Sequence, residues 1–262
     1  MHYAYPNGTS AICGVSLEVS EGERVALLGE NGSGKTTLAR LLVGILKPSK
    51  GSIRLGDVDY AQQTTHRIAR EVGLVFQNPD HQIFLDRVWD EVAYGPRNYG
   101  LSAGELEERV GTELRAFDLW EDRYRLPAAL SGGERKSVAF ASSFAIRPRV
   151  LLLDEPTKGM DDGRKRQLTR IAKRLTAEGR TVIFITHDVD FAYEATERTV
   201  VLRRGRVVLD GRTKELLSGP EVAQAGLQAA TVPSLLATLR EGGISPPSAL
   251  YREVQRHVEG AP

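Results

Sequence analysis

Residues 25–37 read VALLGENGSGKTT, and this stretch decides the fold. The apolar run 25–28 is typical of a short strand, and it ends at a glycine-rich segment. Apolar residues then recur at a spacing that predicts a helix, on a face formed by Leu38, Leu41, Leu42 and Ile45. The stretch therefore predicts a strand, a loop and a helix, in that order.

The loop between the predicted strand and helix has the composition of a phosphate-binding loop. Its glycines adopt backbone conformations that other residues resist, so successive N–H groups can converge on phosphate oxygens at the helix N-terminus. Lys35 offers a charge to the terminal phosphates, and Thr36 offers a hydroxyl to Mg²⁺. The expected nucleotide contacts are Gly29, Asn31, Gly32, Ser33, Gly34, Lys35, Thr36 and Thr37. A glycine-rich turn can match this pattern by accident, and GTPases, kinases, helicases and transport ATPases share it, so the loop alone predicts only nucleotide binding.

A second apolar run, VLLLDEPT at 150–157, ends in two carboxylates. Residues 150–153 are typical of a strand buried on both faces, and open parallel sheets bind ligands at the carboxyl ends of their strands. Asp154 is placed to hold Mg²⁺, and Glu155 is placed to activate the attacking water as general base. A capped turn after a strand is the plainer alternative for the same residues.

Composition narrows the class of protein. The 262 residues are 41% apolar, and 35 Lys and Arg nearly balance 34 Asp and Glu, which argues against a dedicated nucleic-acid binder. The single Cys13 excludes an internal disulfide framework and fits a reducing compartment. The sequence contains no apolar stretch of about 18 residues, and its start lacks the pattern of a signal peptide. We therefore expect a protein of the cytosol.

The segment LSGGE at 130–134 separates the classes that share a phosphate loop. Ser131 and Glu134 have capping-box spacing, so an ordinary helix start followed by a helix over 135–145 is one interpretation. A helix start at two glycines is also an anion site. Together with the loop and the DEPT stretch, this segment resembles the signature motif of the ATP-binding-cassette (ABC) family. The resemblance covers nearly all of residues 3–218, with the motifs in the family's order.

The resemblance implies further roles for particular residues. Tyr5 would stack on adenine, Gln77 would contact Mg²⁺ and water, and His187 would act as the switch histidine near the γ-phosphate. The implied catalytic residues are Glu155, His187 and Gln77, and the implied Mg²⁺ ligands are Thr36, Gln77 and Asp154. Tyr5 as a core aromatic, Gln77 as a strand end and His187 as a structural histidine are the alternatives.

The signature motif also implies an assembly. In this family the motif of one subunit covers ATP held by the phosphate loop of another, so two chains enclose two ATP molecules. The motif residues expected to contact the nucleotide are Ser131, Gly132, Gly133 and Glu134. A homodimer and a heterodimer remain equally compatible with the sequence.

The implied fold is the α/β fold of a P-loop NTPase. A RecA-like core with a mostly parallel sheet and an antiparallel N-terminal β part would occupy residues 1–76 and 149–218. An inserted helical signature subdomain would occupy 77–148, where Ser102 and Glu105 form another capping box before a helical face of Leu106, Val110, Leu114 and Phe117. A C-terminal helical extension would occupy 219–262 and end in an amphipathic helix carrying Leu250, Val254 and Val258. In the family this extension helps the two ATPases pair, and a partly ordered tail is the alternative.

Two stretches, QNPDHQIF at 77–84 and EVAYGPRN at 91–98, resemble the ATPases of energy-coupling-factor (ECF) importers of vitamins and of cobalt or nickel ions. The expected partners are a second ABC ATPase and an integral-membrane subunit that docks near Gln77 to Val92, which would hold the chain at the cytoplasmic face of the membrane. No nucleic-acid partner is expected. An exporter, a soluble complex or a non-hydrolysing ATP switch are the alternatives, and the cargo cannot be inferred from these residues.

Overall fold

The computed structural model describes residues 1–219, 221–227 and 230–231. Six strands form the main sheet, in the spatial order β10 (Arg206–Arg212), β9 (Arg198–Arg203), β3 (Arg24–Leu28), β8 (Thr181–Thr186), β7 (Val150–Asp154) and β6 (Val72–Val75). All neighbouring pairs are parallel except β10 and β9. Two antiparallel pairs lie outside this sheet: β1 (His2–Ala4) with β2 (Ser10–Cys13), and β4 (Arg54–Leu55) with β5 (Val58–Asp59). The predicted α/β fold with an antiparallel N-terminal part is confirmed.

The central strands are apolar along their length because helices cover both faces of the sheet. On one face Leu152 and Ile183 pack against α1 (Lys35–Leu42). On the other face Leu153 and Phe184 pack with residues of α5 (Gly132–Ala145) and α6 (Asp162–Ala177). The alternation follows from the two-residue period of a strand. Both faces are thus occupied, and the strand ends are left for ligands.

The chain between β6 and β7 is helical. It forms α3 (Val88–Asn98), α4 (Ala103–Ala116) and α5, and both predicted capping boxes are present at the starts of α4 and α5. Of the predicted apolar face, Val110 and Leu114 are buried and Leu106 is partly buried, and Phe117, just after α4, packs against Phe140 and Phe144 of α5. The division of the chain at 76/77, 148/149 and 218/219 stays a prediction.

Three element ends differ from those predicted. The helix after the loop stops at Leu42 and does not reach Ile45, because Gly44 takes a left-handed φ of 73° and turns the chain. Strand β6 ends at Val75, so Gln77 lies beyond the strand rather than at its end. Helix α5 begins at Gly132, since the capping box places Ser131 as the N-cap.

The remaining helices are short. They are α2 (Thr65–Glu71), α7 (Val189–Ala195), α8 (Thr213–Ser218) and α9 (Glu221–Gln224). Leu217, Val222 and Leu227 pack against Ala26 and Leu28 of β3, so the first part of the C-terminal extension covers the strand that leads into the loop. The predicted last helix, with Leu250, Val254 and Val258, lies outside the described residues. In the part of the chain that the structure describes, none of the helices has the length and apolarity needed to cross a bilayer.

Candidate active site

Four neighbouring strands end at one edge of the sheet. The phosphate loop follows β3, His187 follows β8, Glu155 follows β7, and Gln77 lies two residues beyond β6. Because these strands are parallel and adjacent, their carboxyl ends meet at the same edge. The sheet therefore brings together side chains that are far apart in the sequence.

The loop itself depends on glycines. Gly29, Gly32 and Gly34 have φ values of 153°, 78° and 106°, in the region that favours glycine. A Cβ on Gly34 would lie 2.6 Å from the carbonyl oxygen of Ala11, and a Cβ on Gly29 would meet the carbonyl oxygen of Leu202. The loop is thus threaded between neighbouring backbones, which leaves no room for a side chain at either position.

Lys35, the first residue of α1, is buried beneath this loop. Its Nζ donates to the carbonyl oxygens of Gly29 at 2.6 Å and Glu30 at 3.0 Å. Burial lowers the pKa of Lys35, and the nearby charges of Glu155 and Asp154 oppose that shift. An ammonium has three donors, so one N–H remains for a ligand in the loop.

Thr36 and Asp154 meet at the end of β7. The Thr36 hydroxyl donates to Oδ2 of Asp154 at 3.3 Å. Burial raises the pKa of Asp154 and the charge of Glu155 raises it further, against the effect of the Thr36 hydroxyl and of Lys35. A cation at this point would relieve the crowding of two adjacent carboxylates, and their oxygens are the ligands that Mg²⁺ prefers.

Glu155 is held by the residues that end β8. Its Oε1 lies 2.9 Å from Nδ1 of His187, and its Oε2 accepts a hydrogen bond of 3.4 Å from the hydroxyl of Thr186. The Glu155 side chain is 11% exposed, whereas that of His187 is 64% exposed. The carboxylate is therefore held in direction by two partners and is mostly buried.

Thr186 was not among the predicted site residues. Its hydroxyl also accepts from the backbone N–H of Asp188, so it joins the end of β8 to the turn that carries His187. The available signal was a threonine directly after the apolar run 182–185.

The residues at this edge of the sheet fit a nucleoside triphosphate with Mg²⁺. The hydroxyl oxygen of Ser33 is buried and has no hydrogen-bond partner among the described residues, inside a loop where polar ligand atoms are expected. The N–H groups of the first turn of α1 have no acceptor within the helix. The hydroxyl of Thr36 and the carboxylate of Asp154 offer the oxygen donors for the metal ion.

The other predicted site residues fall into two groups. Tyr5 lies beside the loop, with its hydroxyl 3.0 Å from Oγ1 of Thr37, while Asn31 and Gln77 are exposed. In the described residues no hydrogen bond joins Gln77 to Asp154 or Glu155. The structure thus places Tyr5 and Asn31 at the loop, and Gln77 at the same edge but apart from the carboxylates.

The signature segment does not belong to this cluster. Ser131 accepts from the backbone N–H of Glu134 at 3.3 Å, and Glu134 accepts from the backbone N–H of Ser131 at 2.7 Å. The guanidinium of Arg164 covers Gly133, where an added Cβ would come within 2.7 Å of it. Among the described residues no hydrogen bond links 131–134 to 29–37, so one chain does not bring these two predicted nucleotide contacts together.

The sheet order, the glycine loop and the carboxylates at adjacent strand ends define a phosphate-loop nucleotide-binding protein. Residues 12–158 match the family described as ABC transporter. The chain belongs to the ABC transporter family.

Similar proteins refine this assignment. The energy-coupling factor transporter ATP-binding protein EcfA of Methanothermobacter thermautotrophicus is 41% identical over 93% of this chain and 79% of its own length. A putative ABC transporter ATP-binding protein of Caldanaerobacter subterraneus is 43% identical over 84% of this chain but only 39% of its own length. The chain therefore spans about two fifths of that relative, and likewise 41% of one from Methanosarcina acetivorans.

A solved structure gives the same result. The cbiO1 protein from Clostridium perfringens, described as part of the ABC transporter complex cbiONQ, superposes with a TM-score of 0.76 at 35% identity. The superposition covers 85% of this chain and 90% of cbiO1. The relatives thus include ATP-binding subunits of energy-coupling-factor and cbiO type.

Proposed function

We propose that this chain hydrolyses ATP as one of two ATPase subunits and thereby energises a membrane transporter, an ECF-type importer of a vitamin or a transition-metal ion. The observation that carries the proposal is the Glu155 carboxylate, which is fixed against His187 and Thr186 at the edge of the sheet where the phosphate loop ends. The similarity to EcfA and to cbiO1 supports the choice of transporter class.

In the proposed binding step, the loop holds the phosphates. Its backbone N–H groups and the free donor of Lys35 face the phosphate oxygens, and the ring of Tyr5 lies next to the loop to meet the base. Thr36 and Asp154 would hold Mg²⁺, with Gln77 at the same edge of the sheet. When bound, Mg²⁺ supplies positive charge that offsets the charge developing on the transferred phosphoryl group.

In the proposed hydrolytic step, Glu155 orients the attacking water and accepts its proton. Phosphoryl transfer leaves little covalent chemistry to the protein, so positioning and charge stabilisation account for most of the rate. His187 holds Oε1 of Glu155 at 2.9 Å, and its exposed side chain also reaches the solvent-facing side of the site. His187 thus keeps the carboxylate pointed at the water and senses whether the terminal phosphate is present.

A second chain completes each site. Ser131 and Gly132 are exposed at the start of the 14-residue helix α5, beside the half-buried Gly133, and among the described residues no hydrogen bond joins them to the loop of their own chain. Such a helix start attracts anions through its N–H groups and its dipole. Paired chains would place the start of α5 of one subunit over the ATP of the other, and hydrolysis would release that contact.

The segment 78–92 is the proposed docking surface for the membrane subunit. Phe84 is 62% exposed, and Tyr94 of the adjacent helix is 44% exposed. Their rings pack edge to face with centroids 4.9 Å apart. A paired aromatic surface exposed in one chain suits burial against a partner. Because this surface begins directly after Gln77, one short stretch of chain connects the docking surface to the nucleotide site.

Hydrolysis is tested by phosphate release from ATP by the full chain and by Glu155→Gln, a substitution that keeps the size of the side chain but removes the base. We expect Glu155→Gln to bind ATP with wild-type affinity and to hydrolyse it roughly 10²–10⁴-fold more slowly. Near-normal turnover in this variant would show that another residue acts as the general base. No turnover in the wild-type chain with its co-purified partners would favour an ATP switch.

Docking is tested by cysteine crosslinking. Cys13 is the only cysteine, so Cys13→Ser provides a cysteine-free background for Phe84→Cys. Val208→Cys is the matched control, since Val208 is 43% exposed but lies on the edge strand β10, away from α3. We expect the chain to co-purify with an integral-membrane protein and to crosslink to it from position 84 only. A functional complex without that crosslink would contradict the docking surface.

A further inference from the structure

A buried lysine links the signature helix to the turn that carries Glu155. Lys136 lies in the second turn of α5 and is only 5% exposed. Its Nζ donates to the carbonyl oxygens of Glu155 at 3.2 Å and of Lys158 at 2.9 Å. Among the described residues no carboxylate forms an ion pair with it. The two carbonyls therefore hold the ammonium by themselves.

A contribution to folding stability does not explain why this lysine is buried. A buried ammonium without a partner carboxylate loses hydration that two neutral carbonyls replace only in part. Burial accordingly lowers the pKa of Lys136 to about 8, the charge of Glu155 raises it, and the charge of Lys158 lowers it. The rest of α5 from Ser137 to Ala145 is buried and mostly apolar, so the charge of Lys136 differs from the surroundings that this helix provides.

The turn that Lys136 holds is a strained one. Glu155 has a φ of 48°, a left-handed conformation that is uncommon for residues other than glycine. Its N–H donates to the carbonyl oxygen of Ile185 at 2.7 Å, and its carbonyl oxygen receives Lys136 on the other side. Such a conformation persists only where the surroundings fix it. Lys136 fixes it at both ends, through Glu155 and through Lys158.

The direction of the Glu155 carboxylate follows from this backbone. With the turn held, Oε1 meets His187 and Oε2 meets Thr186. If the backbone relaxed towards an ordinary φ, the Cα–Cβ bond would swing away from both partners. A misplacement of about 1 Å in a reacting group can cost about 10²-fold in rate.

We propose that Lys136 is a positioning residue for hydrolysis: from the signature helix, it holds the left-handed turn at Glu155 and so aims the carboxylate. Lys136 is not among the residues proposed to contact the nucleotide. Because the start of the same helix is the part proposed to meet the ATP of a second subunit, a shift of α5 on that contact would reach Glu155 of its own chain through this side chain. The inference rests on the proposed role of Glu155 as general base.

The test compares Lys136→Met, which keeps length and loses charge and donors, with Lys136→Arg, which keeps both. We expect kcat of Lys136→Met to fall about 10- to 100-fold, with its ATP affinity and KM within about threefold of wild type. Lys136→Arg should recover most of kcat. Lys35→Met is the matched control, since Lys35 is equally buried, at 6%, but faces the phosphates and should lose affinity instead.

A second measurement does not depend on activity. Amide hydrogen exchange of nucleotide-free Lys136→Met should become faster in peptides covering 155–160 and stay unchanged in peptides covering 29–37. If this variant does not fold, Lys136→Gln, which keeps a donor without the charge, carries both measurements with a smaller fall in kcat. An unchanged kcat, or unchanged exchange over 155–160, would overturn the proposal.

A double variant separates this inference from the proposed function. In the Glu155→Gln background, Lys136→Met should cause no further fall in the residual rate, because both changes act through one carboxylate. Independent, multiplying effects would overturn the positioning role while leaving Glu155 as the base. Normal turnover of Glu155→Gln alone would show that Glu155 is not the general base, and it would overturn this inference as well.

Discussion

Replacement of Lys35 by methionine should weaken ATP binding without unfolding the chain. In the structure two of the three donors of Lys35 are used by the carbonyls of Gly29 and Glu30, so one N–H is left to meet a phosphate oxygen. A hydrogen bond to a charged group contributes about 1.5–3 kcal/mol, which corresponds to a loss of about 10- to 150-fold in ATP affinity.

The stability of the same variant should change little. Burial lowers the pKa of Lys35, so the folded state disfavours its charge, and removing that charge offsets the two lost hydrogen bonds. We expect the free energy of unfolding in urea to stay within about 1 kcal/mol of wild type. Equilibrium binding of ATP measures the affinity, with Lys136→Met as the control that keeps it. Unchanged ATP affinity in Lys35→Met would refute the geometry of the loop described above.

Three further predictions concern the loop, a helix and a tyrosine. Gly34→Ala should lose ATP binding and at least about 2 kcal/mol of unfolding free energy, because its φ is 106° and its Cβ would lie 2.6 Å from Ala11; an unchanged urea midpoint would contradict this. Ser102→Ala should cost about 0.5–2 kcal/mol, since the capping box with Glu105 is lost, and Thr112→Ala in the same helix is the control for hydroxyl loss. Burial raises the pKa of Tyr60 to about 12, so the unfolded chain ionises first and stability should fall between about pH 10 and 12. Tyr60→Phe should remove roughly 1–2 kcal/mol of that fall, allowing for partial exposure, and identical pH profiles would contradict it.

Local patterns in the sequence predicted the parts of the fold that local physics determines. The apolar runs before Gly29 and Asp154 form strands, and they are apolar because helices cover both faces of the sheet. Ser102 and Ser131 are N-caps, as their spacing to Glu105 and Glu134 indicates. The end of α1 was mispredicted, because the left-handed turn at Gly44 outweighs the apolar periodicity that continues to Ile45.

Features of the site that depend on distant parts of the chain could not be predicted from such patterns. The φ of Glu155 is held by Lys136 and by Ile185, which come from separate elements, and no local propensity favours a left-handed glutamate. The contact between Thr36 and Asp154 joins residues 118 apart. Motif order could suggest that these residues share a site, but only the strand order of the sheet brings them to hydrogen-bonding distance.

The position of β3 between β8 and β9 has a consequence for synthesis of the chain. The strand that leads into the phosphate loop is made early, yet both strands that flank it are made late. At roughly 5–20 residues per second, a ribosome needs about 8–32 s to pass from the end of β3 to the end of β8. During that interval the nascent strand has neither of its neighbours, so chaperone protection would matter most there, and a prematurely terminated chain that ends before β8 would have no strand paired with β3 to support the loop.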